Sequence, residues 1–158
     1  MNNIRLMEEK DIPFIQRVAK ESWADSYEGM IPSDIQEAFL KEAYSTSYLK
    51  IRMKSSLMII SEKEGVLTGF ANFSEINGGA CELFAIYLLP EAQGRGIGTI
   101  LLKEGLVRLR EVKQLFVNVE KENLRAKRFY DARGFKVIKE FEEDFKGHKL
   151  QTIRMMKG

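Results

Sequence analysis

The apolar run Leu83-Phe84-Ala85-Ile86-Tyr87-Leu88-Leu89 leads through Pro90-Glu91-Ala92 into Gln93-Gly94-Arg95-Gly96-Ile97-Gly98-Thr99, and then into Ile100-Leu101-Leu102. Three glycines within five positions, between a strand-like run and a helix-like one, dictate a strand–loop–helix unit with bare backbone at the helix mouth. From Cys81 onward the first run is apolar on both alternating faces apart from Glu82, which predicts a central strand covered on both sides. Leu102, Leu106 and Leu109 form one stripe opposite Glu104, Arg108 and Glu111, which predicts a helix over 97–112. Free N–H groups and the positive helix end make such a loop an anion site, although glycines alone equally suit close packing. Two familiar phosphate loops do not fit. GxGxxG needs a glycine where Thr99 stands, and GxxxxGK[ST] needs a lysine that is absent.

The remaining periodicity builds a mixed α/β sheet around this unit. Ile4 to Met7 reads as a short strand, and Asp11-Ile12-Pro13 as a helix opening, with Asp11 as cap and Phe14, Ile15, Val18, Ala19 and Trp23 at helical spacing. After the break at Gly29-Met30-Ile31-Pro32, Ser33 or Asp34 caps a second helix, and Tyr48 to Met53 continues irregularly or as another short helix. Leu57 to Ser61 and Val66 to Ser74 form an antiparallel pair joined through Lys63-Glu64-Gly65. Leu115 to Val119 is a strand, Asn123 caps a helix that stops at Gly134, and Phe135 to Phe141 and Leu150 to Met156 close as strands.

Composition narrows the function classes. The chain has 158 residues, 44% hydrophobic and 30% charged, enough for one domain with a core. No apolar run approaches the roughly 18 residues of a membrane span, and the charged start MNNIRLMEEKDIP is unlike a signal peptide, so a cytoplasmic protein is expected. A net charge of +2, with basic residues spread along the chain, gives no nucleic-acid surface. One cysteine, Cys81, and one histidine, His148, exclude an internal disulfide and leave no metal-ligand spacing.

Gln93-x-x-Gly96-x-Gly98, placed between strand and helix, resembles the Q/R-x-x-G-x-G/A acyl-CoA loop of the GCN5-related N-acetyltransferase (GNAT) superfamily. Downstream, Asn123-x-x-Ala126-x-x-Phe129-Tyr130-x-x-x-Gly134-Phe135 resembles that superfamily's second recurrent segment. The resemblance is firm over 81–137 and implies one N-acetyltransferase domain over 1–158. Its fold would be a mostly antiparallel twisted sheet of six to seven strands, splayed between the fourth and fifth, with about four flanking helices. It implies acetyl-CoA as donor, no metal, and direct attack by a primary amine in a ternary complex. The acceptor would be a small amine, a polyamine or a protein N-terminus, and homodimer formation is left open. A non-catalytic acyl-CoA sensor or regulatory module is the alternative.

The resemblance also distributes roles. The amides of Gly94, Arg95, Gly96, Ile97, Gly98 and Thr99 would cradle the pyrophosphate, with Arg95 and the Thr99 hydroxyl adding contacts. Pantetheine would lie along Ile86 and Leu88, with the Leu88 N–H at the acetyl carbonyl. Asn123 would bond the pantetheine arm, with Ala126 and Phe129 packing beside it. Glu82, eleven residues before Gln93, matches the catalytic glutamate of the histone acetyltransferases and would be the base, directly or through water, or else a structural residue bonded to a neighbouring loop or helix end. Tyr130 would protonate the departing thiolate. Trp23 and Tyr27, with Asp25 and Glu28, would wall the acceptor site as an aromatic and acidic surface.

Overall fold

The computed structural model describes residues 2–158. Seven strands form one sheet in the order β1-β2-β3-β4-β5-β7-β6. They are β1 (Asn3–Leu6), β2 (Leu57–Lys63), β3 (Val66–Phe73), β4 (Ala80–Leu88), β5 (Gln114–Glu120), β6 (Lys136–Phe145) and β7 (His148–Lys157). Every neighbouring pair is antiparallel except β4 and β5. The helices are α1 (Ile12–Tyr27), α2 (Ser33–Ala43), α3 (Thr46–Ser55), α4 (Ile97–Arg108) and α5 (Leu124–Ala132). The count of five exceeds the expected four because 46–55 forms a helix of its own, opened by Ser45, whose hydroxyl accepts the Tyr48 N–H at 3.2 Å.

Helices cover the sheet on both faces. Asn72 on β3 is fully buried and accepts two hydrogen bonds from Arg52 of α3, while Phe73, on the opposite face, packs under α4. Gly105 makes the α4 contact close, since a Cβ there would lie 2.2 Å from the Phe73 ring. A second cluster of Trp23, Ile31 and Leu150 joins α1 to the β6–β7 hairpin. That hairpin is longer than its charged sequence suggests. Lys146 and Gly147 both have positive φ and turn it in two residues, bringing Phe145 to 6.0 Å from Trp23 and 5.1 Å from Phe39.

Several local expectations are corrected. Asp11 does not cap α1 with its side chain; its carboxylate accepts the Glu8 N–H at 2.8 Å and two hydrogen bonds from Arg5 at 2.8 and 2.9 Å. Pro32, with no side-chain cap, precedes α2, which begins at Ser33. The α4 helix stops at Arg108 instead of continuing to Val112, so that Leu109 and Val112 turn down onto the core. In β4, Phe84 is 56% exposed, against the expectation of a strand covered on both sides. The cause is a bulge, because Asn72 pairs with Ala85 but Phe73 pairs with Leu83, leaving Phe84 unpaired in the ladder.

Candidate active site

The parallel pairing of β4 with β5 covers only Ala80 to Glu82 against Gln114 to Phe116, and beyond it the two strands separate. Leu89 donates its N–H to Thr68 of β3. Strand alternation therefore turns the N–H groups of Leu88 and Ile86 away from β3 and into the gap. A cavity of about 440 Å³ fills this gap and continues to the start of α4.

The glycine loop forms one end of the cavity. Gly94 and Gly96 have φ of +76° and +82°, a conformation that side-chain-bearing residues rarely adopt, and a Cβ at either would meet nothing within 4 Å. Their bareness thus serves the backbone path and leaves space in front of it. Gly98 has a different task, since its Cβ would come within 3.1 Å of the Phe129 ring and 3.9 Å of Ile86. No side chain caps α4, so its first amides are free of intrahelical acceptors and aim a positive end at the loop.

The cavity brings together most of the residues singled out from the sequence. Ile86 and Leu88 come from β4; Gln93, Gly94, Gly96, Ile97, Gly98 and Thr99 from the loop and α4; Asn123, Ala126, Phe129 and Tyr130 from the α5 region; Trp23 and Tyr27 from α1. Asn123 caps α5, its side-chain oxygen accepting the Ala126 N–H at 3.2 Å. Tyr130 is 7% exposed and held edge-on between Phe129 and Phe135, each at 5.1 Å. Burial, with nearby Tyr27 adding to it, pushes its phenol above the ordinary range and keeps it protonated at neutral pH.

Arg95 and Glu82 lie outside the lining. Arg95 is exposed on the loop. Arg154 of β7 binds Glu82 through both carboxylate oxygens, also donates to Asn118 at 3.0 Å, and lies 4.5 Å over the Phe116 ring. Cys81 and His148 are separately committed. The buried thiol contacts the Ser74 carbonyl at 3.4 Å, and His148 Nε2 lies 3.2 Å from the Met30 carbonyl.

Two arginines that the sequence did not single out, Arg133 and Arg125, complete the wall. Arg133 and Thr99 meet beside the loop. At the opposite side, Arg125 of α5 reaches Asp25 of α1 at 2.9 Å. A second cavity of about 670 Å³, lined by Phe39, Tyr44, Tyr48, Arg52 and Glu75 among others, shares Phe84 and Tyr87 with the first. Among the described residues no group of three or more His, Cys, Asp or Glu is arranged to hold a metal ion, and no helix is long and apolar enough to cross a membrane.

Known proteins share this architecture. The family described as Acetyltransferase (GNAT) family matches residues 16–135. A spermidine N(1)-acetyltransferase of Thermoplasma acidophilum is 30% identical over 150 residues, covering 90% of this chain and 92% of that protein. The uncharacterized N-acetyltransferase YuaI of Bacillus subtilis is 33% identical over 109 residues, which span 66% of this chain and 62% of YuaI. In three dimensions, the PaiA N-acetyltransferase of Thermoplasma acidophilum, solved in complex with coenzyme A, superposes with a TM-score of 0.86 at 27% identity, covering 99% of this chain and 98% of that one. The free amides of the loop, the parted strands and the family match over most of the chain agree: this protein belongs to the acetyltransferase (GNAT) family and has the GNAT fold.

Proposed function

We propose that the protein transfers an acetyl group from acetyl-CoA to a small primary amine, by direct attack within a ternary complex, and that a polyamine is the first acceptor to assay. The observation that carries the reading is the single cavity joining the amide-rich end of α4, the inward N–H groups of Ile86 and Leu88, and the buried hydroxyl of Tyr130. When bound, acetyl-CoA supplies the activated acyl group and a thiolate leaving group.

The chain's own residues take the other parts. The loop amides from Gly94 to Thr99 hold the diphosphate, Asn123 and the β4 backbone align the pantetheine arm, and the Leu88 N–H stabilises negative charge on the acetyl oxygen. Tyr130, a neutral phenol at physiological pH, donates its proton to the sulfur as the C–S bond breaks, and the second proton that the nitrogen sheds as the C–N bond forms restores the phenol.

An alkylamine with a pKa near 10.4 is neutral in only about one molecule in 2,500 at pH 7, so it must lose a proton before it attacks. Glu82 is the carboxylate assigned to receive it, through water, by a lone pair that Arg154 does not occupy. The acceptor enters where the two cavities meet at Phe84 and Tyr87, and the aromatic wall suits a cationic alkyl chain. Support for a polyamine comes from the relative named as a spermidine N(1)-acetyltransferase. The test is thiol release from acetyl-CoA with spermidine, spermine, monoamines and peptides with a free N-terminus. Preference for peptides over every small amine would overturn the acceptor class.

A further inference from the structure

We propose that Arg133 is the charged member of the phosphate site and reads the diphosphate of the acyl donor together with Thr99. The inference rests on the acetyl-CoA reading above and adds a residue that the glycine-loop pattern does not contain.

Arg133 follows the last turn of α5, immediately before Gly134, yet its guanidinium reaches back to the start of α4. Nε and Nη2 both donate to Thr99 Oγ1, at 2.9 and 2.5 Å, and Nη1 donates to the Phe129 carbonyl at 2.9 Å. The guanidinium lies 4.0 Å over the Phe129 ring, the ring that the missing Cβ of Gly98 admits. Every one of these acceptors is neutral, and among the described residues no carboxylate offsets the charge. Arg133 is half-buried and lines the same cavity as Gly94, Gly96 and Thr99. A partly desolvated, uncompensated cation beside free helix amides attracts an anion more strongly than the amides alone.

The Thr99 geometry adds direction. Its oxygen accepts two N–H groups, so its own O–H proton points elsewhere and is available to an anion in front of the loop. Arg133 therefore acts twice, as a counter-charge and by orienting the Thr99 donor. Phosphate discrimination then depends on contact between two helices, α4 and the end of α5, and not on the loop alone.

Calorimetric titration separates this role from a purely structural one. Coenzyme A, 3′-dephospho-coenzyme A and pantetheine, which lacks the phosphates, are each titrated into the wild type, Arg133→Gln, Arg133→Lys and Thr99→Val. Arg133→Gln is expected to weaken coenzyme A about tenfold or more, as befits one lost charge-assisted contact. It should weaken the 3′-dephospho form equally and leave pantetheine unchanged. Arg133→Lys should fall between, and Thr99→Val should shift the two phosphorylated ligands in the same direction. Equal loss for pantetheine, or wild-type affinity of Arg133→Gln for coenzyme A, would overturn the proposal. So would a loss confined to the form carrying the 3′-phosphate. Should Arg133→Gln lack a melting transition, Thr99→Val decides, and unchanged coenzyme A affinity there counts against the proposal. Failure of the wild type itself to bind coenzyme A would instead remove the underlying donor reading and the proposal with it.

Discussion

Arg154 on β7 grips both carboxylate oxygens of Glu82 on β4, reaching past β5, the strand between them. The ion pair places a cation within reach of the residue assigned as base, and it makes the Glu82 role measurable. Glu82→Gln should lower kcat by about 10²-fold or more, the loss expected for a general base, while Arg154→Gln, which keeps the carboxylate, should cost less. Full turnover in Glu82→Gln would leave Glu82 as a structural partner of Arg154.

Tyr130→Phe removes one hydroxyl from a ring held on two sides by Phe129 and Phe135, so the fold should survive. The expected result is a loss of about 10²-fold or more in kcat, with the KM for acetyl-CoA nearly unchanged. Steady-state kinetics alongside the melting temperature make the check. A variant with full turnover would return Tyr130 to the core.

Gly96 and Gly105 should fail in different ways. At Gly96 an added Cβ has no neighbour within 4 Å and would stand in the open space before the loop, so Gly96→Val should lose coenzyme A affinity while costing about 1–2 kcal/mol of stability for its left-handed backbone. At Gly105 the new Cβ strikes the Phe73 ring, so Gly105→Ala should cost about 1–3 kcal/mol and leave the affinity of the folded protein intact. Denaturation and titration on both variants test the separation.

Acid should release a specific tie. Burial alone would raise the Asp11 carboxyl, but the Arg5 hydrogen bonds and the Glu8 N–H outweigh it and hold the group below the usual carboxylate range. A lowered folded-state pKa contributes stability that is full above the unfolded value of about 3.9 and is lost as pH falls through the folded value. Asp11→Asn should cost about 2–3 kcal/mol at neutral pH and flatten the stability profile below about pH 4. A variant with the wild-type acid profile would contradict this assignment.

The parts of the site that follow one another along the chain were legible in its residues. Gly94, Gly96 and Gly98 announce a loop that only bare backbone can trace, and Asn123 and Gly134 bracket a helix by their capping chemistry. What stayed hidden depends on which strands and helices become neighbours. The Glu82–Arg154 pair requires β7 to lie next to β5, a sheet order that periodicity does not encode. Arg133 occupies an unspecified place in its motif and acquires meaning only when α5 ends beside Thr99. Phe84 reads as core from its apolar neighbours, yet a bulge opposite Phe73 turns it outward and makes it the boundary between two cavities.

The central claim is direct acetyl transfer from acetyl-CoA to an amine held in the same complex. Initial rates of thiol release, with acetyl-CoA varied at several fixed concentrations of spermidine or of the best amine in the panel, test it most directly. Intersecting double-reciprocal lines are predicted, as a ternary complex requires. Parallel lines would show a covalent acyl-enzyme, and tight acetyl-CoA binding without turnover on any amine would show a sensor; either result would contradict the account.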